Sequence, residues 1–397
     1  MGGFSLKRYL ALALSVVMVA VAAAGCGGSS GGSNGQLTEV KVATISPLSG
    51  GQASLGVAIK NGAELAIKDR EKDLAAAGYK VVFQPQDDEA KPEVGTQIAQ
   101  RIAADKGFVG VVGTLNTGVA KGIAPVLHRE GAGLVMISPA NTGVVMTESG
   151  WTNYNRIVFR DDYQGPAGAR YAFQVIKAKT AYVMHDKTDY GKALADEFAK
   201  EFAKQGGTVA ATVGVDAQKA DYGPEATQAM AKNPDLIYFG GIYDTAGPLF
   251  KQIRAKGFKG AYMGGDGLDS ADLVKLGGEA AENTYFTSVS ADYKTGDGKA
   301  FFDKYKKAYN DDPAAYALYG YDCMNIILQN LIDYGKKNGG KVPDRAEFAK
   351  QVRATKGFKA ISSTVTFDAK GDNPSSKVFV FKIESGKSVD KGAAPEK

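Results

Sequence analysis

Six short stretches of this sequence combine residue types that can hold a small charged molecule. Three are Ser46-Pro47-Leu48-Ser49-Gly50-Gly51, Gly113-Thr114-Leu115-Asn116-Thr117-Gly118 and Ser138-Pro139-Ala140-Asn141-Thr142-Gly143. They are rich in hydroxyls and glycine and poor in charge. Loops of this kind, leading into helix N-termini, offer backbone N–H groups and hydroxyl donors to an anion such as a carboxylate. The other three are His185-Asp186-Lys187-Thr188-Asp189-Tyr190-Gly191, Gly240-Gly241-Ile242-Tyr243-Asp244 and Gly264-Gly265-Asp266-Gly267. They add aromatic side chains and a carboxylate, Asp266, which needs a cation beside it if it is buried. A molecule with both a carboxylate and an ammonium would satisfy the two sets. Taken singly, each loop also reads as ordinary helix capping. The case rests on their opposed chemistry taken together.

The remaining reactive residues point away from catalysis. Asp87-Asp88, Asp161-Asp162 and Asp311-Asp312 are adjacent acids. Adjacent side chains in a strand point to opposite faces, so they do not make an acid/base pair. There is no Gly-x-Ser-x-Gly nucleophile elbow. His128 and His185 are far apart and lack the spacing of a zinc site. No enzymatic reaction, cofactor or metal is expected.

The loops need elements to present them, and the chain has a regular beat. Apolar runs of strand length alternate with longer amphipathic stretches. Strands are expected near 40–45, 79–84, 108–112 and 133–137, with helices over 54–77, 92–106 and 117–130. The beat restarts near 180, with strands at 180–184, 207–213, 236–239 and 260–263. Helices over 190–205, 224–232 and 245–256 separate them. Helices near 298–310, 314–335 and 343–354 and a strand at 377–383 follow. This is an α/β chain with two doubly wound parallel-sheet lobes. The six loops all fall after strands, and in open parallel sheets ligands bind outside the carboxyl ends of strands.

A length of 397 residues suits two such domains. Apolar residues at 44% and charged residues at 23% make the chain globular rather than disordered. The net charge of +5 comes from lysines and arginines dispersed among acids, so no nucleic acid partner is expected.

The N-terminus reads as an export signal. Lys7 and Arg8 precede an apolar run from Leu10 to Ala24, and Ala23-Ala24-Gly25-Cys26 follows. The run is short for a membrane span of about 20 residues. Ala-Gly-Cys resembles the lipobox of bacterial lipoproteins, which implies a signal peptide over 1–25 and a lipid on Cys26. A flexible Gly/Ser linker over 26–37 would tether a body that works outside the cytoplasm, anchored to the membrane. With Cys26 lipidated, Cys323 has no disulfide partner and reads as a small buried hydrophobe.

The chain resembles the periplasmic leucine/isoleucine/valine-binding proteins, the substrate-binding components of branched-chain amino acid ABC transporters. The likeness is carried by Val42 to Gly50, Asp87-Asp88, Val135 to Thr142, Phe159-Arg160 and Gln164-Gly165-Pro166. It continues through His185-Asp186-Lys187 with Tyr190-Gly191, Gly240-Gly241, Tyr262-Met263-Gly264, and Phe367-Asp368 with Gly371-Asp372. The resemblance runs from about residue 38 to about 385. It implies the type I periplasmic binding fold, with two lobes joined by three crossings near 160, 289 and 379. The lobes are then 38–159 with 290–378, and 160–289 with 379–397. A permease is the implied protein partner, and the protein works as a monomer.

The resemblance also implies roles. The loop Ser138–Thr142, with Ala140, Asn141 and Thr142, and the hydroxyl of Thr117 would hold the α-carboxylate and ammonium of an amino acid. Tyr190 would be an aromatic lid. Three positions depart from the family pattern: Asp266 stands for a glutamate, and Ile242 for a tyrosine, with Tyr243 one place later. Leu55 stands for an aromatic residue near the first helix. The cysteine pair of the type member is absent, with Ala90 and Asn116 near those places. Asp266 argues for a ligand bearing a cation, and Ile242 and Leu55 for an aliphatic side chain, by apolar burial at about 25 cal/mol per Å². The expected ligand is a branched-chain or similar neutral amino acid. Short amides, urea and aromatic acids are alternative ligands, and a ligand sensor is an alternative role.

Overall fold

The computed structural model describes residues 37–289, 296–375 and 377–395. The expected signal peptide, Cys26 and all but the last residue of the linker lie outside the described residues.

The first sheet contains β1 (Thr38–Ser46), β2 (Tyr79–Asp87), β3 (Phe108–Gly113), β4 (Met136–Ser138) and β5 (Tyr154–Arg156). All pair in parallel, in the order β2-β1-β3-β4-β5. Its connections run through α1 (Ala53–Ala76), α2 (Pro92–Ala104), α3 (Thr117–Arg129) and the single turn α4 (Val145–Glu148). Helices on both faces bury the central strand completely: every residue of Phe108–Gly113 is buried. Alternation divides the faces. Val40 and Val42 pack in the layer of α1, whereas Ala43 and Ile45 pack with Ile98 of α2 and Ile123 of α3.

The second lobe begins with α5 (Asp161–Gln174), then β6 (Thr180–His185), α6 (Asp189–Lys204), β7 (Thr208–Gly214), α7 (Gly223–Met230) and β8 (Leu236–Gly240). It continues with α8 (Tyr243–Ala255), β9 (Ala261–Gly264), a 3-10 turn (Asp266–Leu268), α9 (Ala271–Gly277) and β10 (Thr284–Ser288). Then α10 (Lys299–Tyr309), α11 (Ala317–Asn338), α12 (Arg345–Arg353) and the short pair β11 (Phe358–Lys359) and β12 (Thr364–Val365) follow. The hairpin β13 (Phe379–Glu384) and β14 (Lys387–Ala393) ends the chain.

The second sheet has the order β14-β13-β10-β9-β8-β6-β7. It is mixed rather than wholly parallel, because β13 runs antiparallel to β10 and β14 antiparallel to β13. A hairpin of adjacent strands can only be antiparallel, so the late strand changes the class of this sheet. The late helices sit with the first sheet: α11 packs on α1 and β3, and Tyr305 of α10 bonds Asn61 of α1. Contact is close at Gly62, where a Cβ would lie 1.9 Å from the Ala317 carbonyl oxygen. In chain order, α10–α12 and the separate β11–β12 pair fall between β10 and β13 of the second sheet. Cys323 is buried in α11 and unbonded.

Several elements differ from the periodicity reading. Helix α5 was hidden by Gly165, Pro166 and Gly168, all poor helix formers. There, small residues serve packing: a Cβ on Gly165 would meet Cβ of Glu197 on α6 at 2.7 Å. Strand β4 starts at Met136 rather than residue 133, because Ala132 and Gly133 turn through positive φ. Helix α11 starts three residues later than 314, after Tyr316 in the left-handed region (φ +69°). Strands β5 and β10 are too short to show a period.

One buried side chain holds the end of the first sheet together. Arg156 is fully buried and pairs with Asp372 through Nε at 2.5 Å. Its other nitrogens donate to the carbonyls of Asn141 (3.1 Å) and Gly143 (2.8 Å) and to the Thr147 hydroxyl (2.6 Å). Removing one partner of a buried pair strands the other, at about 3–5 kcal/mol. Urea unfolding of Arg156→Leu should therefore show a loss of about that size. Lys80→Ala, which breaks an exposed pair with Glu39, should leave the midpoint almost unchanged.

Candidate functional site

Strand order places the site. In the first sheet β1 and β3 are neighbours whose connections leave on opposite sides, and β6 and β8 repeat the arrangement in the second. Such a switch point opens a crevice at the strand ends. The loops after Ser46, Gly113, His185, Gly240 and Gly264 face one cavity of about 530 Å³. Thr117 and Ala140 line it from the first lobe, and Tyr190, Ile242 and Asp266 from the second.

The first-lobe wall is built on side-chain to backbone bonds. Ser138 Oγ accepts from the N–H groups of Ala140 (3.2 Å) and Asn141 (2.8 Å). The Asn141 amide donates to the carbonyls of Thr114 and Leu115, both at 3.0 Å, and accepts from the Thr114 N–H at 3.3 Å. This couples the loops after β3 and β4 and exposes Ala140 and Thr117 to the cavity. Asn141 itself is fully buried behind that wall, as is Thr142, whose carbonyl accepts from Asp161 N–H at 2.9 Å.

The second-lobe wall centres on Asp266, which is 2% exposed. Its Oδ1 accepts from the Tyr190 hydroxyl at 2.7 Å and from Gln164 Nε2 at 2.8 Å. Its Oδ2 accepts from the Tyr316 hydroxyl at 2.5 Å. The Asp266 pKa is raised by burial, and these three donors offset only part of that rise. Among the described residues no basic side chain pairs with it. Asp161, fully buried at the start of α5, is pushed up to about 8 by burial and then by the Asp266 charge. The second-lobe side thus carries two buried acids, and a cation placed beside Asp266 would stabilise its charged form.

Four predicted residues do not line the cavity: Asn141 and Thr142 lie behind its wall, and Leu55 and Tyr243 are turned from it by register. Leu55 lies in the hydrophobic core, fully buried. Gln52, immediately before α1, takes the cavity position instead. Ile242 faces the cavity, but Tyr243 begins α8 and turns away. Its hydroxyl donates to the Gly51 carbonyl at 2.7 Å and meets Ser54 Oγ at 2.7 Å, linking the two lobes. Sequence reasoning missed Gln52, Gln164, Gln218 and Tyr316. Gln164 stood in a quoted motif but had no assigned role. Tyr316 arrives from a distant element in an unusual backbone conformation, which no local pattern signals.

Four of the adjacent acids hold local structure. Asp87 accepts from the N–H groups of Leu48 and Glu89, and Asp88 from that of Ala90. Asp162 pairs with Arg160, and Asp312 with Lys306.

The family pattern described as "Periplasmic binding protein" is matched over residues 39–388. The chain is 30% identical to the Leu/Ile/Val-binding protein BraC3 of Rhizobium johnstonii over 88% of this chain and 93% of that one. Its fold is similar to the leucine-binding protein LivK of Thermotoga maritima, with a TM-score of 0.82 and 28% identity. That match covers 89% of this chain and 98% of the other. It is also similar to a solute-binding protein from R. palustris in complex with benzoate, with a TM-score of 0.80, 22% identity and coverage of 90% and 97%. At 22% identity this last likeness speaks to fold alone. The chain belongs to the periplasmic binding protein family of substrate-binding receptors, among the relatives of the Leu/Ile/Val-binding proteins.

Proposed function

We propose that this protein is the extracytoplasmic receptor of an ABC transporter, closing two lobes on a neutral amino acid and delivering it to a permease. The lobes are 38–159 with 290–378, and 160–289 with 379–397. The observation that carries the reading is Asp266: a buried carboxylate, held by three donors, with no basic partner among the described residues. An α-ammonium supplies the missing charge. The Thr117 hydroxyl is the first-lobe donor for the α-carboxylate, beside Ala140, with Asn141 and Thr142 shaping that loop from behind and Tyr190 over the ammonium side. The charge pair gains strength in a dry cleft, provided that every lone pair is satisfied. Closure traps the ligand and presents both lobes to the permease.

Leucine, isoleucine and valine are the ligands favoured by the names of the relatives and by the apolar wall of Leu115, Val119, Ala140 and Ile242. Benzoate, the ligand of the R. palustris protein, has a carboxylate but no cation, and would leave Asp266 uncompensated. A lipid on Cys26 would hold the single-chain receptor at the membrane.

Four measurements test this reading. Thermal unfolding with neutral amino acids added one at a time should show a raised midpoint, since ligand stabilises only the folded state. No shift with any of them would sink the reading. Asp266→Asn should weaken binding at least tenfold, because hydrogen bonds to charged groups are worth about 1.5–3 kcal/mol. Unchanged affinity moves the ammonium partner elsewhere. Tyr316→Phe removes a bond between the lobes, so stopped-flow dissociation of the amino acid should be faster than from the unaltered protein. Finally, Cys26→Ser protein should leave the membrane fraction and still bind ligand; retention there contradicts the lipid anchor.

A further inference from the structure

Gln52 and Asn116 hold the N-cap positions of α1 and α3, yet neither side chain caps its helix. Asparagine is among the most favoured N-caps, so its diversion needs another reason. Asn116 Nδ2 donates to Gln52 Oε1 at 2.8 Å, and both residues line the cavity. Gln218 adds a third amide from the second lobe, fixed by its bond to Asp244 Oδ2 at 2.7 Å. The Asn116 oxygen is buried and has no hydrogen-bond partner in the protein. A buried polar atom without a partner is costly, and a ligand group that pairs with it recovers that cost.

The wall therefore has two parts. Leu115, Val119 and Ile242 offer apolar surface, and the amides of Gln52, Asn116 and Gln218 offer hydrogen bonds. Gln52 also bonds the Asp244 carboxylate, which fixes its amide and leaves the Asn116 oxygen as the open acceptor. A ligand hydroxyl or carboxamide can donate to it, and a methyl group cannot.

Resting on the amino acid receptor reading above, we infer that the cleft takes neutral amino acids ending in a hydroxyl or carboxamide at least as tightly as their aliphatic isosteres. Asn116 and Gln52 are the residues that set this preference. A wholly apolar pocket behaves differently, favouring an aliphatic side chain over its hydroxyl isostere by about a hundredfold.

Titration calorimetry on the unaltered protein with threonine against valine, and asparagine against leucine, decides between them. Threonine and asparagine should bind as tightly as valine and leucine or more tightly. Weaker binding of both polar members overturns the inference while leaving the receptor reading intact. Binding of no amino acid at all overturns both. Asn116→Leu should then shift the threonine-to-valine affinity ratio toward valine at least tenfold. An unchanged ratio in that variant overturns the assignment to Asn116.

Discussion

A negative charge buried between two lobes is the constraint around which this molecule is arranged. A carboxylate out of water is tolerated only when it is paired and hydrogen-bonded. Asp266 has its hydrogen bonds from three different elements: Gln164 on α5, Tyr190 on α6, and Tyr316 just before α11. The first two fix its place within the second lobe. The third comes from the lobe opposite, so the same carboxylate also ties the two lobes together. Tyr316 sits at φ +69°, which is costly for a tyrosine. The neighbouring packing of α11 on α1, with contact at Gly62, holds it there.

The first lobe answers with rigidity. Its loops carry no charge toward the cavity at Ala140 and Thr117, and their shape is determined from behind. Asn141 ties two loops to each other, and Arg156 ties the second of them to Asp372 and Thr147. Polar side chains that are this completely satisfied give a wall that does not need to reorganise when a ligand arrives. The adaptable contacts lie elsewhere, between the lobes: Tyr243 to Gly51 and Ser54, and the exposed pair Lys121–Asp189. The exposed pair is weak, so it adds little to the hold between the lobes.

Much of this was legible in the residues. Strand and helix periods located the six loops, because a parallel sheet covered on both faces writes long apolar runs. The rule for strand ends then brought Thr117, Ala140, Tyr190, Ile242 and Asp266 together. The errors cluster at helix starts. Leu55 and Gln52 are three residues apart, and which of them meets the cavity depends on where α1 begins and how it is rotated. The same holds for Ile242 and Tyr243, where one residue separates the cavity from the interlobe contact.

What the sequence determined by itself was the alternation of elements and which residue types stand in the loops of each lobe. Those are properties of residue types and local spacing. Tertiary structure alone decided that α11 packs on the first lobe, that the late hairpin makes the second sheet mixed, and that Tyr316 completes the shell of Asp266. It also decided that Gln52 and Asn116 turn from their helices to each other. Each of these joins residues far apart in the chain, where the partner is chosen by packing and by the need to satisfy buried polar groups, and no local pattern carries that information.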